Sequence, residues 1–123
     1  MARGAPLVGP ADAPVDEAAA LAAAACVFRS LGDTTRLSIL RHLALGEHRV
    51  VDLTAHLGLA QSTVSGHLAC LRGCGLVSVR AQGRASLWSL ARPELLDLLT
   101  VTERLLEATV QAVALCPVTR GSA

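Results

Sequence analysis

Residues Gln61 to Leu90 read "QSTVSGHLACLRGCGLVSVRAQGRASLWSL". In the first half Val64, Leu68 and Leu71 recur at helical spacing, which predicts a helix over Gln61 to Cys74 that Gly75 stops. In the second half Val77 and Val79, then Ala85, Leu87 and Leu90, alternate in part with polar residues around "AQGR". That pattern predicts a two-stranded hairpin with Gly83 in its turn. Just upstream, a short helix is expected from Val50 to Leu57, stopped by Gly58 and joined to the next by a three-residue link. Two short helices across a tight, glycine-containing turn outline a helix-turn-helix, and a hairpin directly after them makes it a winged helix.

Working outward, a helix is predicted from Asp16 to Leu31, rich in Ala and ending at Gly32. Asp33 then caps a second helix, Thr34 to Leu45, which turns Leu37, Ile39, Leu40 and Leu43 toward a core. Pro93 opens a closing helix from Glu94 to Cys116, and Pro117 stops it. The expected class is mainly α, about five helices with a β-hairpin wing. The expected organisation is an N-terminal tail over 1–14, one winged helix domain over 15–117 and a short C-terminal tail over 118–123.

Composition agrees with this class. Hydrophobic residues are 52% of the 123, yet there is one Phe, one Trp and no Tyr, which suits small-residue helix packing. The closing helix is apolar around most of its circumference: Leu95, Leu96, Leu98, Leu99, Val101, Leu105, Leu106, Val110 and Val113 all fall on it. A single small domain cannot cover that surface, so a homodimer is expected, with this helix and the first supplying the interface.

The formal charge of +1 hides an asymmetry, because no carboxylate occurs between Leu53 and Pro93 while Arg72, Arg80, Arg84 and Arg92 fall there. That segment suits a polyanion. The start of the chain, with Pro and acids, has no continuous apolar core of a secretory signal. The apolar run from Ala18 to Phe28 is too short to span a bilayer. Four Cys without a secretory signal point to reduced thiols and a cytoplasmic protein, with no membrane partner.

On a wheel of about 100° per residue, Val64, Leu68 and Leu71 form one buried stripe. Ser62, Ser65, Ala69 and Arg72 share one flank of it, small and polar enough to enter a major groove. Thr63, His67, Cys70 and Cys74 share the other flank. The candidate DNA contacts are Gln61, Ser62, Thr63, Ser65, His67 and Arg72 on the helix, with Arg80 and Arg84 on the hairpin reaching phosphates or a minor groove. His67 is also suited to a hydrogen bond within the fold.

Thiols at i and i+4 lie one turn apart and can grip one soft ion, although buried cysteines without a ligand are common. Two thiolates do not complete such a site. Cys116 is the candidate third, from the other subunit of a dimer, while Cys26 reads as a small packing residue. Three thiolates favour cadmium, lead, copper(I) or arsenite over hard cations. No His-Cys-acid set with catalytic spacing and no glycine-rich phosphate loop occurs, which argues against an enzyme or a catalytic cofactor.

Taken together, "FRSLGDTTRLSILRHL", "LAQSTVSGHLACLRGCGLV" and "GRASLWSL" resemble the ArsR/SmtB family of metal-responsive winged-helix repressors, over roughly Val27 to Cys116. The resemblance implies a homodimer that binds operator DNA when metal-free and releases it on binding an inducer ion. Within the family, a C-x₃-C in the recognition helix with a distant C-terminal Cys is similar to the cadmium/lead sensors. It implies Cys70 and Cys74 of one subunit and Cys116 of the other as ligands, with arsenite or zinc as further inducers to test. The same thiols suit oxidation to an intersubunit disulfide, and a winged-helix interaction module without an inducer is the remote alternative. Two sites seen elsewhere in the family are missing. Its Cys-x-Cys in "ELCVCDL" is replaced by "EHRVVDL", with Arg49 and Val51 in the Cys places, and no His follows His67 to build a site on the closing helix. Thr34 and Ala60 replace a commonly seen Pro and cap residue without touching the chemistry.

Overall fold

The computed structural model describes residues 16–109 and 115. The described residues form five helices and one two-stranded antiparallel sheet, in the order α1 (Glu17–Leu31), α2 (Thr34–Leu43), α3 (Val50–Leu57), α4 (Gln61–Gly73), β1 (Val77–Gln82), β2 (Ala85–Leu90) and α5 (Glu94–Glu107). The expected tails over 1–14 and 118–123 lie outside the described residues.

Local chemistry sets most boundaries. Asp16 and Asp33 cap α1 and α2 by accepting the amides of Ala18 and Arg36, at 3.3 and 2.9 Å. Gly58 ends α3 at φ 67°, in the left-handed region. At the end of α4 the Leu76 amide donates to the Leu71 carbonyl and the Gly75 amide to the Arg72 carbonyl, at 3.0 and 2.9 Å, with Gly75 at φ 76°. This is a Schellman closure. It reverses the chain into β1 with Cys74 as the last residue before the turn.

The strands pair from Val77↔Leu90 to Gln82↔Ala85, leaving Gly83 and Arg84 as a two-residue tip. His48 adds one rung, exchanging backbone hydrogen bonds of 3.0 and 2.8 Å with Trp88 and so attaching the segment before α3 to the wing. The core lies where α2, α3 and α4 meet the base of the wing. Ile39, Leu40, Leu53, Val64, Leu68 and Leu71 are fully buried, with Leu43, Leu76, Val77 and Leu95 around them. Each such side chain contributes about 1.5–3 kcal/mol relative to exposure.

Two helices are shorter than the sequence suggests. α2 stops at Leu43 because the chain turns through Ala44 and Leu45 to Gly46, whose φ of 144° no L-residue adopts easily. α5 stops at Glu107, well before Cys116. There Thr109 turns its hydroxyl back to the Leu106 carbonyl at 2.8 Å, and its amide bonds the same carbonyl at 3.0 Å, which closes the last turn. Residues 110–114 and Cys116 lie outside the described residues.

A Cβ at position 75 would meet nothing within 4 Å, so Gly75 is required by backbone angle and not by space. Gly75→Ala is expected to destabilise the fold by roughly 1–2 kcal/mol, read as a lower midpoint in urea denaturation with an unchanged slope.

Candidate functional site

α4 divides as its sequence pattern requires. Val64, Leu68 and Leu71 are sealed in the core, and Gln61, Ser62, Thr63, Ser65 and Arg72 are exposed. Ala60 caps the helix without a side-chain hydrogen bond, so the first amides of α4 have no side-chain cap and suit an anion such as a phosphate.

The wing carries the remaining cations. Arg84 is exposed at the tip, and a surface hollow of about 470 Å³ is lined jointly by Arg84, Gln61 and Arg49. This gathers the start of α4, the wing tip and the cap of α3 around one concavity. Arg49 is the member that sequence reasoning missed, since it attracted notice only for standing in a Cys place. It is bound to Asp52 at 3.3 Å, and that hydrogen-bonded guanidinium holds the Asp52 carboxyl below its ordinary range. Arg80 grips both carboxylate oxygens of Glu47, at 2.8 and 2.9 Å, which lowers the Glu47 pKa and raises that of Arg80. Its charge is therefore already partnered.

His67 is placed differently from the other DNA-contact candidates. Its Nδ1 lies 3.2 Å from Arg36 Nη1 and 4.0 Å from Asp33 Oδ2, on the half-buried flank that faces α2. A guanidinium has only donors, so Nδ1 accepts. The side chain braces α4 against α2.

The thiols occupy the same flank. Cys70 is exposed and free, while Cys74 is half-buried at the C-cap. The Ser30 hydroxyl, itself buried in α1, lies 3.6 Å from Cys70 Sγ and 3.1 Å from Cys74 Sγ. One expectation is corrected here: Cys26 is not a packing residue, because it is disulfide-bonded to Cys74, with the Cα atoms 6.6 Å apart. The physical reason is that the last turns of α1 cross the end of α4, with Cys26 and Ser30 one turn apart on the crossing face. The signal available in the sequence was that i, i+4 pair on α1, matching Cys70 and Cys74 on α4. Cys116 lies outside the described residues.

Among the described residues no group of three His, Cys, Asp or Glu side chains is arranged to hold a metal ion. The donors around Ser30 nevertheless fit a soft ion in kind, since they are sulfur and the hydroxyl holds both α4 sulfurs on one side. Closing that set requires the Cys26–Cys74 bond to open.

A helix-turn-helix with an exposed polar recognition face and a cationic wing defines a winged-helix transcriptional regulator, not an enzyme. The comparisons agree. Residues 33–79 match the family model "Bacterial regulatory protein, arsR family". The chain is 36% identical to the probable mercury resistance operon repressor of Streptomyces lividans over 89 residues, 72% of this chain and 71% of that one. It is 51% identical over 63 residues to the transcriptional regulator CmtR of Mycobacterium tuberculosis, 51% of this chain and about half, 53%, of that relative. The solution structure of that cadmium metal-sensor superposes with a TM-score of 0.57 at 44% identity, over 72% of this chain and 88% of that one. The homodimeric winged helix-turn-helix domain Mb0332 of Mycobacterium bovis superposes with a TM-score of 0.73 at 27% identity, over 83% and 94%. The chain belongs to the arsR family of bacterial regulatory proteins. No helix of the described residues is long and apolar enough to cross a membrane.

The Asp33 carboxyl is held below its ordinary value of 3.8, first by the Arg36 amide it caps and then by the charge of Arg36. A depressed carboxylate contributes stability above the unfolded-state value and loses it as pH falls through the folded-state value. The destabilisation caused by Asp33→Ala should therefore be largest at neutral pH and shrink as pH falls below 3.8. Urea midpoints of both proteins across that range measure it; a difference that stays constant with pH would contradict the role given to the carboxylate.

Proposed function

We propose that this chain is a metal-sensing repressor that binds operator DNA as a homodimer and leaves it when a thiophilic ion, cadmium or lead, is captured by thiolates. The ligands are Cys70 and Cys74 of one subunit and the partner subunit's Cys116. The observation that carries this reading is the placement of Cys70 and Cys74 on the reading helix itself, on the flank opposite Ser62, Ser65 and Arg72. The printed descriptions of its relatives, a cadmium metal-sensor and a mercury operon repressor, support it.

In this reading Gln61, Ser62, Thr63 and Ser65 face base edges, and Arg72, Arg80 and Arg84 reach the backbone, with Arg49 added to them. His67 positions the helix. The homodimer reading is supported by apolar side chains left exposed on two helices, Leu21 and Phe28 on α1 and Val101 and Leu105 on α5, each at least half exposed. The homodimeric relative Mb0332 supports it as well. A metal tying α4 to the partner's tail biases the two recognition helices away from the spacing of successive major grooves. The required coupling is the difference in ion affinity between free and DNA-bound dimer, typically about 1–3 kcal/mol.

The test is anisotropy of promoter DNA from upstream of the chain's own gene, titrated with reduced protein and then with cadmium, lead, zinc and arsenite. Cadmium or lead should release the wild type. Cys70→Ser and Cys116→Ser should bind DNA as the wild type does and ignore cadmium; induction that survives both changes refutes the site. Arg84→Ala should weaken binding to all sequences alike and reduce the salt slope by about 1.

A further inference from the structure

Three observations meet at the crossing of α1 and α4. Cys26 is bonded to Cys74. The Ser30 hydroxyl touches the sulfurs of both Cys74 and Cys70. The crossing is braced independently of sulfur by Arg36, which donates to the Ser30 and Arg29 carbonyls at 2.6 and 3.2 Å and to His67 Nδ1 at 3.2 Å.

We propose that the Cys26–Cys74 bond is a redox latch on the ion site, so that oxidation converts the regulator into a form that still binds DNA but no longer answers to a thiophilic ion. The inference rests on the reading of Cys70 and Cys74 as ligands. A metal takes a thiolate, and a disulfide sulfur has no such charge to offer. When the bond is closed Cys74 is withdrawn, and Cys70 is left as the single thiolate that α4 can supply. When it opens, Cys74 becomes a second thiol on the side of the helix where the Ser30 hydroxyl already lies against both sulfurs.

The oxidant is a hydroperoxide, and the step balances. One thiolate of the pair attacks a peroxide oxygen, the O–O bond breaks, and a sulfenic acid forms while the departing hydroxide takes a proton. The second sulfur attacks the sulfenic sulfur, the S–O bond breaks, and the hydroxyl leaves as water with the second thiol's proton. With hydrogen peroxide, two electrons pass from two sulfurs to one peroxide, giving one disulfide and two waters. A dithiol reductant reverses it by exchange. Both sulfurs are half-buried and so within reach of small reagents.

Closure leaves the groove-facing side chains alone. Arg36 and His67 already hold α1 against α4, so the bond adds a covalent link to a contact that exists without it. Oxidation should therefore remove induction and spare DNA binding.

The full-length protein, reduced with a dithiol and freed of it, is compared with the same protein after stoichiometric hydrogen peroxide. Peptide mapping locates the bond, cadmium binding is followed by sulfur-to-cadmium charge-transfer absorption, and promoter binding by anisotropy. The oxidised wild type should yield a peptide pair joining Cys26 to Cys74, bind cadmium weaker by about tenfold or more, keep its DNA affinity within about twofold, and regain cadmium binding with dithiol. Cys26→Ser, or Cys26→Ala if Ser misfolds, should bind cadmium before and after the same treatment. The latch is overturned if the linked peptide does not form, if oxidised wild type binds cadmium as the reduced form does, or if the Cys26 variants lose cadmium binding on oxidation as the wild type does. Reduced wild type that binds no cadmium refutes the ligand reading instead, whatever the peptide map shows.

Discussion

One guanidinium holds the chemistry of this molecule in place. Arg36, in the first turn of α2, donates to the last carbonyls of α1 through Ser30 and Arg29 and to the imidazole of His67 on α4. The C-terminus of a helix gathers partial negative charge on carbonyls without intrahelical partners, and a cation there satisfies both needs. Asp33 completes the junction by capping α2 beneath Arg36 and lying 4.0 Å from His67. Three helices are thus tied at one point by groups that sequence spacing alone does not relate. Because α1 is fixed at its end, Ser30 and Cys26 come to lie over the flank of α4 that carries Cys70 and Cys74.

That arrangement explains which features could be read from the residues. The winged helix was legible because each of its parts is local: Val64, Leu68 and Leu71 define the buried stripe of α4, and the hairpin alternation around Gly83 defines the wing. Element ends were legible where glycine or aspartate marks them, as at Asp33, Gly58 and Gly75. They were not legible at Leu43 and Glu107, where the stop is a turn of backbone and hydroxyl bonds and no helix-breaking residue stands at the boundary itself. Of the site, the flank shared by His67, Cys70 and Cys74 followed from helical geometry. Its neighbours did not, because a wheel shows which side a residue takes and never what crosses it. Cys26, Ser30 and Arg36 belong to that unseen half, and so does Asp33 beside His67.

The wing shows the same division in its charges. A segment without carboxylates promised four arginines for a polyanion, but Glu47, which lies before that segment, reaches across to take Arg80 by both oxygens. An exposed pair of this kind contributes little to stability. Its effect is orientation: it fixes the Arg80 side chain along β1 and leaves Arg84 as the cation at the tip. Together with Arg49 across the same hollow, Arg84 sets where a phosphate backbone would lie relative to the start of α4.

The separation of two flanks on one thirteen-residue helix bears on how a sensor can be built into a reader. Side chains that enter a groove must keep their positions in the DNA-bound state, so a ligand cannot share them without competing for the same atoms. Sulfurs on the opposite flank avoid that conflict and still act on the whole helix, because α4 moves as a rigid element. A pull at Cys74, beside the Schellman turn, acts at the end farthest from Gln61 and Ser62, where a small rotation displaces the reading face most. In the proposed switch this lever serves the ion alone: shared with another subunit, the ion draws the end of α4 outward, whereas the bond to Cys26 adds to a contact between α1 and α4 that Arg36 and His67 already hold.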